Sequence, residues 1–168
     1  MTATRLFAVP EDAAVPTPVS FPRIERALHM IDPQFTLIPA GDVELDDPEC
    51  TQARMRISGV NFLVSFTTRG RFLSVRAVWD SRQPASAHVL TTLFTASDSW
   101  NREKYFPTVY ALPEGETALV VADFMCDVRR GMNDAQLVDN LSGAIATDLD
   151  AITFMQHVVA SAFTAGNE

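Results

Sequence analysis

Apolar residues recur along this chain in two registers, one of period two and one of period three to four, and the switches between them set out the expected elements. Ile24, Leu28 and Ile31 fall at helical spacing behind Ser20, a candidate N-cap, with Pro22 suited to a first turn and Pro33 ending the run. This predicts a short first helix. Residues 35–39 read as a brief extended piece, and residues 41–49 as an acidic, turn-rich stretch that includes Pro48. Beyond it, Met55 and Ile57 occupy odd positions, whereas Val60, Phe62, Val64 and Phe66 occupy even ones. A side-chain period of two cannot change phase inside one regular strand, so residues 58–61 must hold a turn or bulge. A second turn at residues 69–71 precedes the alternation of Leu73, Val75, Ala77 and Trp79, which gives three strands in an antiparallel meander.

Pro84 is expected to open a second helix, with Ala87, Leu90 and Phe94 on one face and Val89 and Leu93 beside them, ending at Trp100-Asn101. Residues 106–112 read as the next strand and residues 113–116 as its turn. Ala118, Val120, Ala122, Phe124, Cys126 and Val128 then place an apolar residue at every second position, the clearest strand in the chain. Asn133 followed three residues later by Gln136 approximates a capping box. The last helix, residues 134–163, carries a stripe of Leu137, Leu141, Ile145, Leu149, Ile152, Met155, Val159 and Phe163. At ~1.5 Å per residue it is about 45 Å long, more than twice a typical strand, so either Gly143 breaks it or its end overhangs the sheet. Phe154, Val158 and Ala162 widen its apolar face near the end and, with Phe163, mark a candidate partner or dimer surface, most economically for a second copy of the same chain.

The expected class is α+β: an antiparallel sheet of about five strands with three helices in the order α-β-β-β-α-β-β-α. A proline-containing extended lead-in, residues 1–18, is expected to be mobile or loosely docked, and residues 19–168 form a single domain. A chain of 168 residues is enough for one core, burying roughly 70% of the surface of its unfolded state. Composition, at 47% hydrophobic and 20% charged, is that of an ordinary globular protein rather than a disordered one. The net charge of -8, with no clustered Lys/Arg stripe, argues against nucleic acid as a partner and supplies solubility. Cys50 and Cys126 lie far apart and form no C-x-x-C, so they read as reduced thiols. No signal peptide is recognisable and no apolar run approaches the ~20 residues of a membrane helix, so a cytoplasmic protein without a membrane partner is expected.

Candidate chemistry is sparse. Trp100 and Asn101 could form a ligand clamp, but a Trp closing the core under a helix end and an Asn bonding freed backbone groups are the commoner uses. Asp123 and Asp127 share the polar side of their strand some 13 Å apart, too far to share a proton or a metal. His29, His88 and His157 fall on three separate helices, with no H-E-x-x-H pattern. Cys126 points with the apolar set, where a thiolate is disfavoured, and the glycines are scattered singly, so no phosphate-cradling loop is present. No catalytic, cofactor-binding or metal-binding residue is therefore assigned, and an enzyme is not expected. An enzymatic reading would revive if His88 or His157 came within hydrogen-bond reach of a carboxylate in a concave pocket.

The segment Trp100-Asn101 with Arg102 and Lys104, then Pro107 and Tyr110, followed by a hairpin and by Gly131 and Asn133-Asp134-Ala135-Gln136-Leu137 opening a terminal helix, resembles the YbjN family of bacterial proteins. The resemblance spans residues 19–165 and is densest over 97–141; Thr108 stands where the family carries a basic residue. It implies a fold similar to type III secretion chaperones, usually dimeric, with Trp100, Asn101, Pro107 and Tyr110 as structural motif residues. It also implies no established catalytic residues, and a label of candidate sensory transduction regulator. The functional expectation is a non-enzymatic adaptor or chaperone-like module that forms a homodimer and binds a protein partner as yet unidentified. The alternative is a small-molecule sensory module with its ligand between helices and sheet near Trp79 and Trp100.

Overall fold

A computed structural model describes residues 15–31, 36–38, 52–67 and 71–163. Helix α1 (Phe21–Ile31) is followed by strands β1 (Thr36–Ile38), β2 (Gln52–Ile57), β3 (Val60–Thr67) and β4 (Phe72–Pro84), helix α2 (Ala87–Glu103), strands β5 (Thr108–Glu114) and β6 (Thr117–Asp127), and helix α3 (Asp134–Phe163). The strands form one antiparallel sheet in the order β1-β2-β3-β4-β6-β5. The α+β class and element order stand as expected; the sixth strand is β1, the brief extended piece, at one edge of the sheet.

The phase change between Ile57 and Val60 is a two-residue turn. Ser58 and Gly59 lie at φ 51° and 81°, and the pair Ile57 and Val60 closes the hairpin; positive φ at both turn positions matches the right-handed twist of the flanking strands. Across the sheet the register aligns Met55, Phe62, Ala77, Ala122 and Val109 in one row. This row is buried, and α3 lies over it on β4 and β6, flanked by α1 and α2. The small side chains Ala77 and Ala122 let α3 approach the middle of the sheet.

Boundaries differ from expectation at both ends of α2 and at β5, which runs over Thr108–Glu114 rather than 106–112 and leaves only residues 115–116 for its turn. Pro84 does not open α2; it ends β4, where it pairs with Thr117. Beyond Trp79 the strand continues through an irregularity in which Ser81 Oγ donates to the Ala118 carbonyl at 2.6 Å and Arg82, at φ 56°, donates its N–H to the Asp80 carboxylate. The helix starts three residues later, at Ala87, because Ser86 caps it, its hydroxyl accepting from the Val89 N–H. At its other end α2 runs past Trp100-Asn101 to Glu103, supported by an Asp98–Arg102 pair one turn apart.

Helix α3 is continuous over 30 residues, and Gly143 does not interrupt it. Its start is a reciprocal capping box: the Gln136 N–H donates to Asn133 Oδ1 at 2.8 Å and the Asn133 N–H donates to Gln136 Oε1 at 3.0 Å. Near its other end α3 runs antiparallel to α2, with Phe154 on Trp100 at 5.6 Å between ring centroids and Phe163 edge-on to His88 at 5.7 Å. The widened apolar face of the helix thus meets α2 of the same chain.

Residues 1–14 of the lead-in, the acidic stretch 41–49 and Cys50 lie outside the described residues. At Thr17 the lead-in is docked. Thr17 bridges to Met132, and the Arg23 guanidinium donates to the carbonyls of Thr17, Pro18 and Met132 while pairing with Asp134. One arginine thereby ties the start of α1 to the start of α3.

Candidate binding site on the outer face of the sheet

Strand alternation gives the sheet a second face, on which no described helix packs. Two of its rows follow from the register: Arg54, Leu63, Arg76, Asp123 and Thr108, and beside them Arg56, Asn61, Val78, Val121 and Tyr110. Val121 is buried and Leu63, Val78 and Tyr110 are half-buried, so the middle of the face is an apolar band with polar flanks. Met125, on the same side of β6, is 48% exposed.

At the β1–β3 side of this band lies a depression of about 570 Å³, lined by Thr36, Arg54, Arg56, Asn61, Leu63 and Val78 together with Met55 and Phe62. Arg54 and Arg56 are both exposed. Neither takes part in any of the four ion pairs among the described residues. Alternate positions on a strand set their Cα atoms about 7 Å apart on the same face. Across the band, the Asp123 carboxylate accepts from Ser74 Oγ at 3.0 Å and pairs with Arg76 at 2.6 Å. Burial opposes the Arg76 charge, but the Asp123 hydrogen bond and charge outweigh it and hold the guanidinium pKa above its ordinary value. Burial also raises the Tyr110 hydroxyl pKa, with Arg76 pulling it down and Asp123 pushing it up. Asp123 is therefore ion-paired and mostly covered, not the solvated carboxylate expected from alternation, while Asp127 is exposed and its pKa is held down at about 2, chiefly by its hydrogen bond from Arg129.

Of the motif residues, Trp100 and Asn101 bond to the backbone of the segment that follows α2. Trp100 is buried and its indole N–H donates to the Pro107 carbonyl at 3.1 Å. The Asn101 amide makes two bonds to one residue of β5, accepting from the Val109 N–H and donating to the Val109 carbonyl, each at 2.8 Å. Both Val109 groups point away from β6, so this side chain takes the place of a neighbouring strand at the sheet edge. Sequence reasoning had Asn101 serving its own helix end; its partner lies eight residues further on. Tyr110 lies on the outer face, and Pro107 follows a cis peptide at Phe106. Of the candidate partner surface, Phe154 and Phe163 are half-buried against α2, Val158 is half-buried and Ala162 is exposed.

Two further features were missed. A shallow groove of about 300 Å³ runs between Phe106 and Phe124 and the Asn140–Gly143–Thr147 side of α3, with Phe106 56% exposed at its rim. Asp148 sits on the buried stripe of α3 at 0% exposure, with no hydrogen-bond partner for either carboxylate oxygen. Burial, and then the Asp123 charge, push its pKa up to about 8, and the Ala77 backbone offsets this by less. The spacing Leu141, Ile145, Asp148, Ile152 contained the signal, since position 148 falls on the core-facing stripe. Burial, followed by the Asp127 charge, also raises the Cys126 thiol pKa, which keeps it a poor nucleophile. Among the described residues no three His, Cys, Asp or Glu side chains gather as a metal site, and no helix is long and apolar enough to cross a membrane.

A single helical layer over an antiparallel sheet, with the terminal helix along its middle and the Trp-Asn pair sealing its β5 edge, defines the YbjN-like α+β fold. The chain is similar over this fold to the crystal structure of YbjN from E. coli, described as a candidate transcription regulator, with a TM-score of 0.56 at 8% sequence identity, covering 89% of this chain and 96% of that one. At that identity the likeness is one of fold. No family model matches the sequence, and no curated protein matches it.

Proposed function

We propose that this protein is a non-enzymatic binding module, adaptor-like or chaperone-like, that receives a protein partner on the outer face of its sheet. The observation that carries the reading is an apolar band, Leu63, Val78 and Val121, flanked by arginines on a face that no described helix covers. The YbjN neighbour's description as a regulator is in keeping with an interaction role. So is the chemistry found: burial raises the thiol pKa of the half-buried Cys126, and His88 packs on a phenyl ring. Affinity capture from the native cytoplasm with the wild type and with Val78→Glu, followed by mass spectrometry, tests the reading. Loss of specific proteins from the variant's capture is the expected result; an unchanged set removes the outer face from the proposal.

A homodimer along the end of α3 is a narrower proposal than the sequence suggested, because α2 already takes Phe154 and Phe163. It now rests on Ala162 and the half-buried Val158. Light scattering after gel filtration at tens of micromolar decides it: a dimer that Ala162→Asp dissociates supports it, and a strict monomer ends it.

A further inference from the structure

We infer that the depression at Arg54 and Arg56 is a subsite for an acidic, extended polypeptide segment of another protein, one that presents two carboxylates at alternate positions beside an apolar side chain. The inference rests on the proposed use of the outer face and specifies what that face selects.

Charge is the first reason. The chain carries 13 Lys and Arg against 21 Asp and Glu, so two cations side by side stand against its prevailing charge. Arg76 on the same face has its charge matched by Asp123, whereas Arg54 and Arg56 are exposed and have no ion-pair partner among the described residues. Spacing is the second. Two guanidinium groups on alternate strand positions repeat at about 7 Å, which is also the repeat of side chains on one face of any extended peptide. Acidic residues at i and i+2 of a bound strand therefore meet one arginine each, in the fork geometry that suits carboxylates. The third reason is the floor. Leu63 is the cross-strand partner of Arg54, and Val78 lies two strands from Arg56 in the same row, so apolar surface adjoins the charges and Asn61 separates Arg56 from Val78. A bare anion would leave that floor wet, and a purely apolar ligand would leave the cations without a counter-charge. Duplex DNA fits less well, because two cations on a chain of net charge -8 neutralise too few phosphates for measurable binding at physiological salt.

The test uses fluorescence anisotropy with the full chain and a fluorescein-labelled threonine nonapeptide carrying Leu, Glu, Glu and Leu at its even positions. A second peptide replaces both Glu by Gln. The account predicts that the Glu peptide binds and that raising salt weakens it. The double variant Arg54→Ser/Arg56→Ser should weaken it by roughly twofold to thirtyfold, as expected for two surface charge pairs. Arg54→Glu/Arg56→Glu should prefer a peptide with Lys in place of Glu, a charge swap that a merely damaged fold would not produce. Equal binding of the Glu and Gln peptides, or Glu-peptide binding that the arginine variants leave unchanged, overturns the inference. If Val78→Glu alone abolishes binding in that case, the outer face survives as a binding surface and only its acidic preference falls. Absence of Glu-peptide binding up to millimolar concentration overturns it too, as does a labelled DNA duplex binding in an arginine-dependent way. Salt-sensitive self-association lost in the double variant would assign the site to a second copy instead.

Discussion

Replacing Asp148 by Asn should remove most of one pH dependence of this protein's stability. The carboxyl is fully buried on the core stripe of α3, its oxygens lack hydrogen-bond partners, and its pKa is raised from 3.8 to about 8. In the unfolded chain the group ionises near pH 4. The folded protein therefore holds a proton that the unfolded chain has released, and folding takes up a proton at every pH between the two values. Stability from this group is fully present below about pH 4 and is lost as pH rises toward about 8, with a slope of ~1.4 kcal/mol per pH unit. Between pH 5 and pH 8 the loss is on the order of 4 kcal/mol, a large share of the ~5–15 kcal/mol that holds a typical domain folded. Asn has the same shape and no titration, so urea denaturation of the wild type and Asp148→Asn at several pH values isolates the term. The two should differ by about 1 kcal/mol or less at pH 4, with the variant ahead by several kcal/mol at pH 8. Parallel stability curves across that range would refute the buried, proton-holding carboxyl.

The Trp-Asn motif predicts stability without binding. Asn101→Ala leaves the Val109 N–H and carbonyl without their side-chain partner and should cost about 1–3 kcal/mol, seen as a fall in Tm of roughly 2–12 °C, with binding on the outer face unchanged. Gly131→Ala should destabilise by more than about 2 kcal/mol, because Gly131 sits at φ 78° with the Thr17 carbonyl where a Cβ would go. Denaturant titration checks it, with Gly115→Ala as a control that shares the positive φ and meets open space; equal costs at the two sites would show that the docked lead-in contributes nothing.

Much of the fold was legible because local rules and tertiary need agreed. The phase change at Ser58-Gly59, the capping box at Asn133 and Gln136, and the alternation of β6 each stated a backbone event in side-chain language. What was not legible depended on distant partners. Pro84 reads as a helix start by its type and is a strand end because β6 extends opposite it, pairing it with Thr117. The broad face of α3 reads as surplus until α2 is laid beside it. Asp148 was passed over because a carboxylate within an apolar stripe looks like an interruption, and only packing shows that it stays inside. The candidate site was least legible of all. Arg54 and Arg56 are unremarkable in sequence, and their pairing with Leu63 and Asn61 follows from strand register that no single segment contains.

The central claim is that the outer face of the sheet is the working surface. Site-specific photocrosslinking in cells of the native host tests it most directly, with benzoylphenylalanine placed at Val78 on that face or at Thr153, which is exposed on α3. Discrete crosslinked partners from position 78 and none from position 153 are the predicted result. Partners captured from position 153 alone would contradict the account and move the binding surface to the helical layer.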